Sequence, residues 1–215
     1  MIKILMNKKT ITWLLLSLVA MLAGCSNSEI SPTPELEIAP PTKLPAATET
    51  STSATEPDPT AVPEAFEMAL TGFNIGEIIP DRFACLGENI SPEISWNAAP
   101  SETQSFVFIF DDPDASSRAW VHWILFNIPS TVSGLQENIS PGMYPEGSLS
   151  GANSWGELPY GGPCPPVGST HEYVFVLYAL DLFLDLDEGA SKAEILAGME
   201  GHILAESLYT GLYSR

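Results

Sequence analysis

The sequence predicts an all-β domain, a sandwich of short strands with helix only at the C-terminus. Three observations predict it. Short apolar runs of strand length (FEMALTGF, EIIP, EISW, QSFVFIF, AWVHWILFNI and HEYVFVLYALDL) are separated by Pro and Gly punctuation. Two of them, QSFVFIFDD and EYVFVLYAL, are nearly continuous apolar and aromatic runs, which suits central strands covered on both faces. Helical periodicity is confined to SKAEILAGMEGHILAESLYTGLY, which opens with a capping box, Ser191 with Glu194 three residues on.

The chain begins with a basic segment, MIKILMNKK, and then TITWLLLSLVAMLAGC. That apolar run is shorter than the roughly 18 to 20 residues a spanning helix needs, and LAGC ends it in small residues before a cysteine. Residues 1–24 therefore read as a lipoprotein signal peptide and Cys25 as the lipidated mature N-terminus, which places the rest on the outer side of a cell membrane. Residues 25–64 are rich in Pro, Thr, Ser, Ala and Glu and lack aromatic side chains, so they cannot bury enough apolar surface to offset ordering. They read as a disordered tether. Residues 65–215 have the length of one domain with its own core.

Within that domain each element follows from local pattern. FEMALTGF, EISW and QSFVFIF supply the early strands, and AWVHWILFNI alternates so that Trp120 and His122 share one face while Val121 and Trp123 share the other. The stretch before it, DDPDASS, is turn chemistry that sets Asp112 and Asp114 on a loop. Ser133 to Gly168 is too rich in Gly and Pro for regular structure and longer than an ordinary connection, as functional loops are. HEYVFVLYAL is the next strand, with His171 and Tyr173 on one face. In the C-terminal segment Gly198 and Gly201 break the helix in two. Ile195, Leu196, Met199, Ile203, Leu204 and Leu208 supply its apolar stripe, and His202 is a packed or capping histidine.

Charge excludes whole classes of partner. The chain carries a formal net charge of −19, and from residue 65 onward only Arg82, Arg118, Lys192 and Arg215 stand against twenty carboxylates. No basic patch exists to release counterions, so nucleic acid is excluded, and the domain itself is disfavoured at an anionic membrane surface. An anion could be held only by short-range hydrogen bonds in a shielded pocket. Of three cysteines, Cys25 is assigned to lipid, leaving Cys85 and Cys164 as a candidate disulfide in an oxidising compartment; loop context alone leaves the pairing open.

Two strand-borne histidines, each following a loop, stand out. His122 follows DDPDASS, and His171 follows the Gly/Pro loop YGGPCPPVGST. With Asp112 and the Tyr173 hydroxyl they form an inventory for gripping a small oxyanion, such as phosphate or a phosphomonoester, with Asp112 fixing one imidazole's tautomer.

The residues CLGENISPEISW, DDPDA with WVHW, YGGPCPPVGSTHEYVFVLYALD and GHILAESLYTGLYSR together make the domain resemble the phosphatidylethanolamine-binding proteins, in particular their bacterial, Raf-kinase-inhibitor-like branch. The resemblance implies an antiparallel, Greek-key-like β-sandwich with a few peripheral short helices, mainly C-terminal, which agrees with the strand pattern. It also implies an anion pocket built from Asp112, His122, Gly162 with Pro165 or Pro166, and His171 with Tyr173, walled by Trp120. Where the family's usual motif reads DPDAP, this chain has Ser116. The function implied is a membrane-tethered, non-catalytic binding protein for a small phosphate-bearing ligand, with no cofactor; an inhibitor or modulator of an exported partner protein is the alternative.

Two further readings compete. ANSWG (Ala152 to Gly156) approaches a nucleophile elbow, and Ser154, Asp181 and His202 fall in the chain order of serine hydrolases, although that elbow belongs on a parallel sheet. Two histidines and an aspartate are also a zinc ligand set, but no HxH or HxxxH spacing accompanies them.

Overall fold

A computed structural model describes residues 64–115 and 118–215. The signal segment, Cys25, the tether to residue 63 and Ser116 lie outside the described residues.

Among the described residues eight strands and one helix follow in the order β1 (Glu67–Leu70), β2 (Ile94–Asn97), β3 (Ser105–Asp112), β4 (Trp120–Pro129), β5 (Gly134–Leu135), β6 (Leu149–Gly151), β7 (Thr170–Leu180), α1 (Lys192–Met199) and β8 (Ile203–Ser214). Asp81–Phe83 adds one 3-10 turn. β1, β2 and β5 form a small sheet, and a second sheet runs β6-β4-β3-β7-β8. All pairings between named strands are antiparallel. Within the larger sheet β7 returns to lie beside β3 after the β3-β4-β6 run. That spatial order, fourth strand beside the first, is a Greek key.

β3 is buried at every position, as expected of a strand with a neighbour on each edge and a packed layer on each face. Between the sheets lies an aromatic core, with Met68, Leu70 and Trp96 from the small sheet meeting Phe106, Phe108, Phe110, Trp123 and Phe175 from the large one. The Phe110 and Phe175 rings stack at 4.2 Å, a pair worth about 1 kcal/mol beyond its area. The opposite face of the large sheet packs Val107, Ile109, Val121, Ile124 and Phe126 against Ile195 and Met199 of α1.

The C-terminal segment departs from expectation. The capping box forms, with Ser191 Oγ accepting from Glu194 N–H and Glu194 Oε2 accepting from Ser191 N–H (2.8 Å). The helix nevertheless ends at Met199, and Gly201, at φ 81°, turns the chain into a strand rather than a second helix. The burial of Ser207, Tyr209, Gly211 and Tyr213, alternating with more exposed neighbours, has a period of two. Ile203, Leu204 and Leu208 therefore do not continue a helical stripe, and all three are exposed. His202 lies in the turn before β8, and its Nδ1 is 2.8 Å from Asp181 Oδ1. A second departure is regular structure inside the long Gly/Pro connection, where β5 pairs with β2 and β6 with β4. EIIP makes only an isolated bridge, from Ile78 to Leu212.

Candidate functional site

The site grows out of a bulge in β4. Phe110 pairs with Trp123, but Asp111 pairs with Val121, so His122 is an extra residue opposite β3. A bulge breaks the strict alternation the sequence suggests, and bulges commonly re-aim a side chain beside functional sites. Val121 accordingly packs on the helix side and Trp123 in the aromatic core. His122 lies over Phe110, its ring centre 4.9 Å away.

A cavity of about 380 Å³ opens at this end of the large sheet, within the size range of small-molecule sites. Asp112, Trp120, His122, Pro165 and His171 line it, as expected. Asp112 is the last residue of β3 rather than a loop residue. Its Oδ1 accepts from Asp114 N–H (2.9 Å), and its Oδ2 takes the His171 Nδ1 at 2.7 Å. Asp114 Oδ2 accepts from Glu172 N–H (2.8 Å) and so pins the DPDA turn to the start of β7.

The two imidazoles are oriented by different acceptors. His171 Nδ1 faces a carboxylate and His122 Nδ1 faces the Gly161 carbonyl at 2.8 Å. Neither acceptor can donate, so each Nδ1 carries a proton and each Nε2 is the free ring nitrogen. Burial pushes the His122 imidazole below its ordinary 6.5, outweighing the Gly161 carbonyl, the Asp112 charge and the Gly162 carbonyl, which push it up. His122 is therefore neutral near pH 7 in the open site.

Tyr173 and Gly162 do not line the cavity. Tyr173 is wholly buried beneath the imidazoles, 5.3 Å from the His122 ring and 6.4 Å from the His171 ring, and its hydroxyl lies close to the Asp112 carboxylate and the Cys164 backbone without a hydrogen bond of good geometry to either. Burial, then the Asp112 charge, raise its phenol, so it stays protonated. Gly162 is a packing residue: a Cβ there would sit 2.2 Å from Phe83 O, and its N–H donates to Asn89 Oδ1 (2.8 Å). Trp120 offers the cavity its ring, because its Nε1 is sealed.

Trp155, Asp114, Ala115, Cys164 and Pro166 also line the cavity. Trp155 sits edge-to-face on both Trp120 (5.3 Å) and His122 (5.1 Å) and is half exposed. Its signal in the sequence was a lone tryptophan in a Gly-rich loop. Cys85 and Cys164 form a disulfide with Cα atoms 5.5 Å apart, fixing the loop that carries Pro165 and Pro166.

The hydrolase arrangement is not assembled. Ser154 Oγ accepts from Val121 N–H (2.8 Å), beside the cavity. Val121 lies opposite Asp111, which pairs with Val174, whereas Asp181 follows the far end of β7. Seven strand residues separate those levels, about 23 Å. Among the described residues no group of three or more His, Cys, Asp or Glu side chains is placed to hold a metal ion.

Residues 70–214 match the family profile of the phosphatidylethanolamine-binding proteins. A UPF0098 protein of Methanothermobacter thermautotrophicus is 53% identical over 144 residues, 66% of this chain and 95% of the relative. The UPF0098 protein YbhB of Escherichia coli is 38% identical over 132 residues, 60% of this chain and 84% of YbhB. Among solved structures, a phosphatidylethanolamine-binding protein homolog from Chlamydia trachomatis superposes with a TM-score of 0.65 at 36% identity, covering 70% of this chain and 98% of that one. E. coli YbcL gives 0.67 at 29% identity, covering 71% and 99%. The profile, the relatives and the solved structures agree over the described domain, and the chain belongs to the phosphatidylethanolamine-binding protein family.

Proposed function

We propose that this protein is a lipid-anchored, extracytoplasmic binding protein that holds a small phosphate-bearing ligand, without turning it over, in the cavity between His122 and His171. One observation carries the reading. Both imidazoles have Nδ1 tied to fixed acceptors, so two Nε2 atoms are the free nitrogens of a single cavity with aromatic walls. The name of the family, shared by the Chlamydia trachomatis homolog, favours a phosphoethanolamine headgroup within that class. The Cys85–Cys164 bridge supports an oxidising compartment, and LAGC with Cys25 supports the anchor.

Equilibrium binding of phosphoethanolamine and inorganic phosphate tests the ligand class. Saturable binding that weakens at least tenfold in His171→Ala is expected; the absence of binding between pH 5 and 8 overturns the reading. Incorporation of labelled palmitate that is abolished by Cys25→Ala tests the anchor, and unlabelled wild-type chain removes it.

A further inference from the structure

Two carboxylates, Asp112 and Asp114, line the cavity, and among the described residues no lysine or arginine does. Arg215 comes as near as the wall, its Nη1 3.6 Å from Cys164 Sγ, yet it is not a lining residue. An oxyanion entering here meets charge of its own sign and no fixed cation. Complementarity must therefore arrive as a proton.

His122 is placed to hold that proton. Its Nδ1–H is committed to Gly161 O (2.8 Å), with the Gly162 carbonyl also close to the ring, and among the described residues no hydrogen bond is made by Nε2, which faces the cavity. In the neutral ring Nε2 is a lone pair, which repels a bare phosphate oxygen and accepts from a P–OH group. The titratable groups around it come from three directions: Asp112 and Asp114 from the end of β3 and its turn, His171 and Tyr173 from β7, and Tyr160 from the loop before Gly161. None is a permanent cation. Tyr160 donates its hydroxyl to Phe83 O (2.7 Å), Tyr173 Oη is sealed, and His171 Nδ1 is held by Asp112. The remaining neighbours, Phe110 and Trp155, are aromatic and carry no charge.

We propose that the cavity takes a phosphomonoester together with one proton, held between a ligand oxygen and His122 Nε2, so that it selects the singly protonated monoanion over the dianion. This rests on the phosphate-binding reading above and adds to it the protonation state of the ligand. No covalent bond changes; the proton comes from solvent when the free ligand is a dianion, and from the ligand itself when it is already a monoanion. Affinity above the ligand's second pKa, about 6 for a phosphomonoester, should fall about tenfold per pH unit.

Isothermal calorimetry of phosphoethanolamine on the full chain at pH 8, in two buffers of different ionisation enthalpy, reads the proton directly. The expected result is an uptake of about one proton per ligand, falling towards zero at pH 5.5, where the ligand brings its own. In His122→Gln, whose amide can donate in place of Nε2, the uptake should disappear. Wild-type binding at pH 8 without proton uptake overturns the proposal and leaves the phosphate reading standing. Uptake that persists in a folded His122→Gln overturns the assignment to His122. No binding at any pH from 5 to 8 removes both. Should His122→Gln fail to fold, the wild-type proton count and pH slope decide the matter alone.

Discussion

Replacing Cys85 and Cys164 together with alanine removes a cross-link between residues 79 apart. In the chain-entropy description a closed loop of that length lowers the entropy of the unfolded chain enough to stabilise the fold by about 4.5 kcal/mol at 25 °C. The folded side should change little, because the joined segments are held independently. Cys85 N–H donates to Pro163 O (3.1 Å), Gly162 N–H to Asn89 Oδ1 (2.8 Å), and Tyr160 Oη to Phe83 O (2.7 Å). The loss should therefore appear almost entirely as a larger unfolded ensemble. Urea denaturation of the domain from residue 64 is the assay. With a slope near 2 kcal/mol per molar, the midpoint should fall by about 2 M and the slope should rise slightly. The His122 and His171 ring resonances of the folded variant should stay where they are in the parent. A loss under about 1 kcal/mol would refute the entropic reasoning, and displaced histidine resonances would refute the claim that the loop is held without the bridge.

Other perturbations test separate parts of the account. Gly162→Ala sets a Cβ 2.2 Å from Phe83 O and 2.9 Å from Ala84 Cα, both backbone; calorimetric scanning should show a loss of about 3 kcal/mol, or about 9 °C. Lys192→Met strips the Asp111 carboxylate, only 8% exposed, of the cation that donates to its Oδ2. The expected cost is about 2 kcal/mol, recovered in the Lys192→Met/Asp111→Leu double variant because a buried ion pair is often replaceable by apolar packing. His122 is buried with its imidazole below 6.5, so beneath pH 6.5 the unfolded chain binds more protons than the fold. Stability from this group is full above pH 6.5 and falls as pH drops, by up to about 1.4 kcal/mol per unit; a pH series of urea midpoints should show this slope flattened in His122→Gln.

Strands buried on both faces were legible because their apolar runs leave no other reading: QSFVFIFDD became the fully buried β3. The last strand was not, because Ile203, Leu204 and Leu208 fall at helical spacing after a true helix start. The period-two signal in Ser207, Tyr209, Gly211 and Tyr213 carries a serine and a glycine that do not read as apolar. Gly211 is there because a Cβ would meet Ile79 and Phe73 at 2.7 Å, a tertiary constraint with no local trace. At the site, Asp112, His122 and His171 were legible as residue types on two loop-to-strand junctions. The bulge at His122 was not, since an extra residue changes register without changing composition. Tyr173 shares the His171 face as alternation requires, but the imidazoles cover it. Pocket membership depends on depth as well as on face.

The central claim is a cavity that holds a phosphate-bearing ligand between two imidazoles, and histidine-resolved NMR during a phosphoethanolamine titration addresses it most directly. Saturable shifts of both the His122 and His171 ring signals, with the His122 pKa rising from its depressed free value and the response lost in His171→Ala, are the predicted result. Ring signals that stay unmoved to millimolar ligand, with pKa values equal to those of the free protein, would contradict it.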